Sequence, residues 1–240
     1  MKEQYVGDVN DFRKYALLRV LAQTGRLRVG VQWMLTPPDG RPDGSKVDYL
    51  QQPDRWRSYD PVLFDLLHRL VHLDGTRAIQ HIEAAGIIPD AIYIKDILPD
   101  AAQARADAFR LAADRFRDTD LVFFDPDNGL DVPSIPRGRK GSSKYVYRDE
   151  VAATFAAGHS VLLYQHFPYK ERRAFTAGLG QELAELTGCA SAWAFVTPHV
   201  LFLLLPRPEH IACLRDGGNE AMSWDGTFMQ TMEIGREVKS

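Results

Sequence analysis

The segment at residues 120–125, Asp-Leu-Val-Phe-Phe-Asp, constrains the fold of this chain more than any other. Four successive apolar residues between two carboxylates indicate a strand covered on both faces, as in the centre of a parallel sheet. Residues 160–166 have the same character and predict a second buried strand. Parallel strands need long crossover connections, which are usually helices. The two segments therefore predict an α/β fold.

The rest of the chain alternates between helical and strand patterns. Apolar residues at helical spacing predict helices at 9–24, 61–73, 100–117, about 149–157 and 169–187, and a last helix that begins at 208. Strands are predicted at 27–35, with one face more buried than the other, at 91–95, and as a hairpin at 191–197 and 199–205. Residues 76–89 fit either a helix or a strand. We expect a Rossmann-like, doubly wound mixed sheet, mostly parallel with a C-terminal antiparallel hairpin. Residues 1–240 would form one domain, with room for a small helical insertion at about 45–90.

The composition excludes several classes of protein. The chain has 240 residues, of which 45% are hydrophobic and 25% charged, and this is typical of a globular protein. With 29 Lys and Arg against 32 Asp and Glu it is not globally basic, although a local basic patch remains open. Its two cysteines cannot form a disulfide framework. No apolar run is long enough to span a membrane and no signal segment begins the chain, so we expect a soluble, cytoplasmic protein.

In sheets of this kind, ligands bind beyond the carboxyl ends of the parallel strands. The predicted strands end at four polar places: the loop after Leu35, Asp96, Asp125 and His166. A candidate site is therefore expected where these four meet. His166 would be either a substrate-contacting base or a hydrogen-bonded core residue.

Residues 125–128, Asp-Pro-Asp-Asn, follow the most buried strand. Carboxylates there are costly unless they have partners. Asp125 and Asn128 could hold a substrate amino group by hydrogen bonds, which would make Asp125, Asp127 and Asn128 the catalytic residues. Alternatively, Asp125 and Asp127 could bind a divalent metal ion, or the segment could be an ordinary turn.

Residues 137–148 contain five cations, two tyrosines and several small residues. Lys and Arg neutralise phosphates and Tyr rings stack on bases, so Lys144, Tyr145 and Arg148 could contact a nucleic acid or a phosphorylated substrate. Lys170, Arg172 and Arg173 could extend this surface. The alternative is a solvated loop.

The first predicted helix carries charged residues near its start. Asp8 is a candidate N-cap, and Asp11 suits the positive end of the helix dipole. Lys14 lies off the centre of the apolar stripe and could reach a ligand. Arg13 falls inside that stripe, where it would either extend past the core edge or be a buried partner for a carboxylate or ligand.

Taken together, these residues resemble the class I S-adenosylmethionine-dependent methyltransferases, and among them the ribosomal-RNA adenine methyltransferase J family. That family begins with Gly-x-x-x-Asp-x-x-Lys-His, onto which four residues fall without a gap, with Tyr in place of His: Gly7, Asp11, Lys14 and Tyr15. Its Asp-Pro-Pro-Tyr motif, which holds the target adenine amino group, corresponds to residues 125–128. Two features depart from the family. The first strand lacks its acidic residue and Gly-x-Gly turn, with Pro-Pro-Asp-Gly at 37–40 instead, and residues 127 and 128 replace its second Pro and its aromatic.

The resemblance implies a methyltransferase-like enzyme that uses S-adenosylmethionine and acts on an amino group of a nucleic acid or nucleotide. The cofactor-binding residues would be Asp11, Lys14, Asp39, Gly44 and Asp96. The substrate-binding residues would be Lys144, Tyr145, Arg148 and His166. Two alternatives stay open. One is a hydrolase or nuclease dependent on Mg²⁺ or Mn²⁺, with Asp125, Asp127, Asp39 and Asp43 as ligands. The other is a non-catalytic nucleic-acid-binding module on the same fold.

Overall fold

The computed structural model describes residues 1–22, 26–37 and 44–235. It contains nine strands: β1 (Val29–Gln32), β2 (Ile92–Ile94), β3 (Leu121–Phe124), β4 (Gly129–Leu130), β5 (Tyr145–Val146), β6 (Ser160–His166), β7 (Ser191–Val196), β8 (Val200–Leu205) and β9 (Gln230–Gly235), all within the described ranges. The α-helices of these ranges are α1 (Val9–Ala22), α2 (Pro53–Trp56), α3 (Pro61–His68), α4 (Ile79–Ala84), α5 (Ala102–Phe116), α6 (Arg148–Ala156), α7 (Arg172–Thr187) and α8 (Ile211–Ser223).

Seven of the strands form one mixed sheet in the order β2-β1-β3-β6-β8-β7-β9. Strands β2, β1, β3 and β6 run parallel to one another. The remaining neighbours, from β6 across β8 and β7 to β9, pair antiparallel. The expected Rossmann-like mixed sheet with a C-terminal antiparallel hairpin is therefore confirmed.

The central strands are apolar because both of their faces are covered. All residues of β3 are buried, as the run of four apolar residues predicts. For β1, the expectation that one face is more buried than the other is wrong, because all four of its residues are buried. Gly30 makes this packing possible, since a Cβ there would lie 2.6 Å from a ring carbon of Phe116 in α5.

The connection from β1 to β2 is mostly helical. Residues 48–84 contain α2, α3, a five-residue π-helix at Arg69–Leu73, and α4. Their buried apolar side chains join the same core cluster as those of α1. The predicted helix at 61–73 thus continues as α3 and the π-helix, and the ambiguous stretch at 76–89 holds the short helix α4.

Arg13 of α1 is buried and does not extend to solvent, and it does not pair directly with a carboxylate of the described residues. Its guanidinium lies 5.2 Å from the ring centre of Trp56 and 5.8 Å from that of Phe228. It also donates a hydrogen bond to the backbone oxygen of Thr227 at 2.9 Å. Burial lowers the pKa of Arg13 to about 10. The aromatic contacts explain why a cation is tolerated inside the apolar stripe.

Strand β9, which the sequence pattern does not reveal, adds to the edge of the sheet by antiparallel pairing with β7.

Across the described residues, none of the helices combines the length and apolar character that a membrane span requires.

Candidate functional site

A cleft of about 430 Å³ lies next to the carboxyl ends of β3 and β6. Its walls are the segment at residues 1–14, which includes the start of α1, residues 44–46, and the turn at 125–128 after β3. Eight of the residues predicted from the sequence line it: Asp11, Lys14, Gly44, Asp125, Asp127, Asn128, Lys144 and His166. The carboxyl edge of the sheet therefore brings together most of the predicted site.

Lys14 joins two carboxylates at the base of the cleft. Its Nζ donates to Asp11 Oδ1 at 2.8 Å and to Asp125 Oδ2 at 2.7 Å, and all three side chains are buried. Tyr15 OH donates to Asp11 Oδ2 at 2.9 Å. Helix α1 thus supplies an acid, a cation and a hydroxyl within five residues, and β3 supplies the second acid.

The ionisation of this cluster follows from its burial. Burial raises the pKa of Asp11 to about 6, and the nearby Lys14 ammonium reduces this effect without cancelling it. Burial alone would lower the pKa of Lys14, but Asp11 and Asp125 raise it above its ordinary value. Lys14 is therefore a permanent cation at neutral pH, held between two acids.

Asp127 is also buried and also has partners. Thr36 Oγ1 donates to its Oδ2 at 2.7 Å, and the amino nitrogen of Met1 lies 2.8 Å from its Oδ1. Burial alone would raise the pKa of Asp127, but the Met1 ammonium and the Thr36 hydroxyl hold it below its usual value. Asp127 is therefore ionised at neutral pH.

The turn after β3 is shaped by Gly129 and Gln165. Gly129 has a φ of +106°, and a Cβ there would lie 2.3 Å from Oε1 of Gln165. That same Oε1 accepts a hydrogen bond from Leu130 N at 2.8 Å. The adjacent Asn128 is half-buried on the cleft wall, and its side chain makes no hydrogen bond to any described residue. Its amide is thus available to a ligand.

His166, the last residue of β6, lies at the mouth of the cleft. Its Nε2 is 3.1 Å from Tyr164 OH, and Tyr164 lines the same cleft. Desolvation by the surrounding protein lowers the pKa of His166, although the residue is exposed. Asp127 and Asp125 raise this pKa, but by less, so the net shift is downward. A neutral imidazole at this position is able to accept a proton.

Three of the predicted site residues that the structure describes do not line the cleft. Asp39 lies outside the described residues, as does Asp43. Asp96 is exposed beyond the end of β2 and does not line the cleft. Tyr145 and Arg148 do not line it either. The described part of the cleft therefore contains no contribution from the β2 edge of the sheet.

Much of the basic segment is used in internal contacts. Arg148 NH1 lies 2.9 Å from Asp131 Oδ1, and Arg148 also pairs with Glu182. Arg137 NH1 donates to Asp149 at 3.0 Å, and its guanidinium stacks on the ring of Tyr147. Of the residues predicted to contact a substrate from this segment, the cleft receives Lys144.

The carboxylates of the cleft do not fit a divalent metal ion. Asp125 Oδ2 accepts from Lys14, and Asp127 is bonded by Thr36 and Met1, so a metal would have to displace existing cations and donors. Within residues 1–22, 26–37 and 44–235 no group of three or more His, Cys, Asp or Glu is placed to hold a metal. The donor set thus offers no support for the Mg²⁺ or Mn²⁺ alternative.

Several cleft residues were not predicted as site residues. Asp8 was predicted as a helix cap, and its Oδ1 does accept from Asn10 N at 2.9 Å, but Asp8 and Asn10 also line the cleft. Lys46 and Tyr164 line it as well. Tyr164 was detectable, because residues two apart on a strand share a face and His166 was already a candidate. No sequence pattern indicated Lys46 as a site residue, apart from its position close to Gly44.

In comparisons with known proteins, no protein-family model matches this sequence, and no curated protein is significantly similar to it.

Proposed function

We propose that this protein is a methyltransferase-like enzyme that acts on an amino group of a nucleic acid or nucleotide and uses S-adenosylmethionine. One observation carries the proposal. Asp125, fixed by Lys14, and Asn128, whose side chain has no partner in the described chain, lie together in a cleft at the carboxyl edge of a Rossmann-like sheet. This is the place at which such sheets bind ligands.

The acceptor end of the cleft suits an amino group. Asp125 and the side-chain carbonyl of Asn128 would accept hydrogen bonds from the two N–H groups of the substrate amino group. This would direct the lone pair of the amino nitrogen toward the methyl donor. Lys14 would keep the Asp125 carboxylate in place. The neutral His166 at the cleft mouth would take up the proton that the nitrogen releases. Alignment of this kind can supply a large part of the rate acceleration in group transfer.

The other groups of the cleft fit the amino-acid end of S-adenosylmethionine. When bound, this cofactor supplies an electrophilic methyl group on a sulfonium. Its ammonium needs carboxylates, and the cleft offers Asp8 and Asp11; its carboxylate needs cations, and Lys46 and Lys144 lie on the wall. A cleft of about 430 Å³ is within the range of roughly 300–1,000 Å³ that holds ligands of this size.

The surface beyond the cleft favours a nucleic-acid substrate. Tyr169, three residues after the end of β6, is fully exposed. Lys170, Arg172 and Arg173 follow it and are also exposed. An exposed aromatic ring beside several cations is the combination that binds single-stranded nucleic acid, by stacking on bases and neutralising phosphates.

Isothermal titration with S-adenosylmethionine and S-adenosylhomocysteine tests the cofactor. We expect both to bind, with one site per chain. Methyl transfer is then measured with radiolabelled S-adenosylmethionine on total RNA and on single-stranded DNA, using the wild type, Asn128→Ala and the exposed control Asn219→Ala. Because the Asn128 side chain makes no hydrogen bond to any residue that the structure describes, Asn128→Ala should fold normally and bind both ligands, yet transfer about 100-fold more slowly.

Two results would contradict the proposal in different ways. If neither S-adenosylmethionine nor S-adenosylhomocysteine binds, the cofactor assignment is wrong. If both bind and the rate of Asn128→Ala equals that of Asn219→Ala, the acceptor does not lie against Asn128, and only the acceptor assignment fails.

A further inference from the structure

A second cavity lies on a face of the sheet, between α5 and α6. Its volume is about 290 Å³, and no residue lines both this cavity and the cleft. Its floor is formed by β3 and the end of β1, and its walls are largely apolar and rich in phenylalanine. The apolar lining includes Phe109, Ala112, Phe116, Val122, Phe124 and Ala153.

Gln32 is a polar residue in the otherwise apolar floor of this cavity. It lines the cavity although only 3% of the residue is exposed, and its Oε1 has no hydrogen-bond partner. Its side-chain nitrogen likewise donates to none of the residues that the structure describes. Buried carboxamides are normally paired, because an unmet donor or acceptor in an apolar environment is destabilising. A ligand that reaches Gln32 would remove this penalty.

The charged groups at the rim are already neutralised within the protein. Each has an opposite charge in contact: Glu150 has Arg105 at 2.7 Å, Asp149 has Arg137 at 2.5 Å, and Arg110 has Asp107 at 3.2 Å. A charged ligand would find no unmatched counter-charge among these pairs. The cavity therefore favours an uncharged ligand.

We propose that this cavity binds a small, uncharged, planar heterocycle that carries a hydrogen-bond donor next to an acceptor on one edge. The Gln32 carboxamide presents the complementary pair, an acceptor oxygen and a donor nitrogen, so two parallel hydrogen bonds can form. Phe109 and Phe124, whose ring centres are 6.0 Å apart, provide aromatic surface for the ring. At about 290 Å³ the cavity lies at the lower end of ligand pockets, which suits one ring system rather than a whole nucleotide.

The test compares two probes of similar size on three forms of the protein. The probe 2-pyridone carries adjacent N–H and C=O groups, and toluene carries neither. Affinities are measured by NMR titration for the wild type, for Gln32→Met, which keeps the side-chain length but not the amide, and for Ala153→Leu, which narrows the cavity. Crystals soaked in 2-pyridone locate the probe.

We expect Gln32→Met to weaken 2-pyridone binding by at least about fivefold and to leave toluene binding unchanged. Ala153→Leu should weaken both probes. The proposal is overturned if 2-pyridone binds no better to the wild type than to Gln32→Met, or if the soaked crystal shows only an ordered water at Gln32. If Gln32→Met does not fold, the crystal soak and the Ala153→Leu titration still test the proposal. Density for 2-pyridone at Gln32 and weaker binding by Ala153→Leu would support it, and an ordered water alone at Gln32 would overturn it.

Discussion

Replacing Lys14 with methionine removes the cation that lies between Asp11 and Asp125. The Lys14 side chain is 1% exposed, and Nζ is 2.8 Å and 2.7 Å from the two carboxylate oxygens. Methionine fills much of the same volume, so the change is chiefly electrostatic. Loss of one partner from a buried ion pair costs about 3–5 kcal/mol, because the remaining charge is left buried without compensation. We expect Lys14→Met to lower the free energy of unfolding by about 4 kcal/mol at pH 7.

Urea unfolding followed by circular dichroism measures this loss, and Lys95→Met is the control. Lys95 Nζ is 3.4 Å from Glu83, but the Lys95 side chain is 64% exposed. Exposed ion pairs contribute about 0–1 kcal/mol, so the control should unfold close to the wild type. A loss below about 1 kcal/mol for Lys14→Met would refute the reasoning, because the two carboxylates would then not depend on this cation.

Two further predictions concern the cleft wall and pH. Gly129→Ala should destabilise the protein by at least about 1 kcal/mol more than Gly158→Ala in thermal unfolding. Both glycines have a φ of +106°, but only at Gly129 would a Cβ clash with another side chain. Equal losses of stability in the two variants would show that this clash does not occur. Because the pKa of Asp11 is raised to about 6, the stability that its protonation contributes is complete below about pH 4 and is lost as the pH rises through 6. Relative to Asp11→Asn, the wild type should lose up to about 3 kcal/mol between pH 4 and 7 in urea titrations, and parallel pH profiles would contradict this.

The architecture and much of the site are predictable from the sequence because strand ends of a parallel sheet share one edge. The apolar runs locate β3 and β6, and the polar residues that follow them therefore meet in the cleft. The resemblance adds Asp11, Lys14 and Gly44, which the fold brings to the same place. These results depend on local patterns and on general topology.

The remaining features depend on contacts between distant residues. Lys14 and Asp125 are 111 positions apart, and nothing in either local pattern indicates their pairing. Arg148 is of a residue type that binds phosphate, but Asp131, in the loop after β4, and Glu182 of α7 bind it instead. Strand β9 is missed because an exposed edge strand needs no alternating apolar residues.

We infer that the buried ions of the cleft serve ligand binding rather than stability. Well-packed apolar residues commonly stabilise a protein as much as a buried ion pair does, or more. The variant Asp11→Asn, Lys14→Met, Asp125→Asn removes all three charges together, so it leaves no buried charge unpaired. We expect it to be more stable than Lys14→Met by at least about 2 kcal/mol in urea unfolding. The same variant should lose binding of S-adenosylhomocysteine in isothermal titration, with Lys95→Met as the control that retains it. A triple variant that is restored in stability, still binds this ligand and still transfers methyl groups would show that the three charges serve neither purpose.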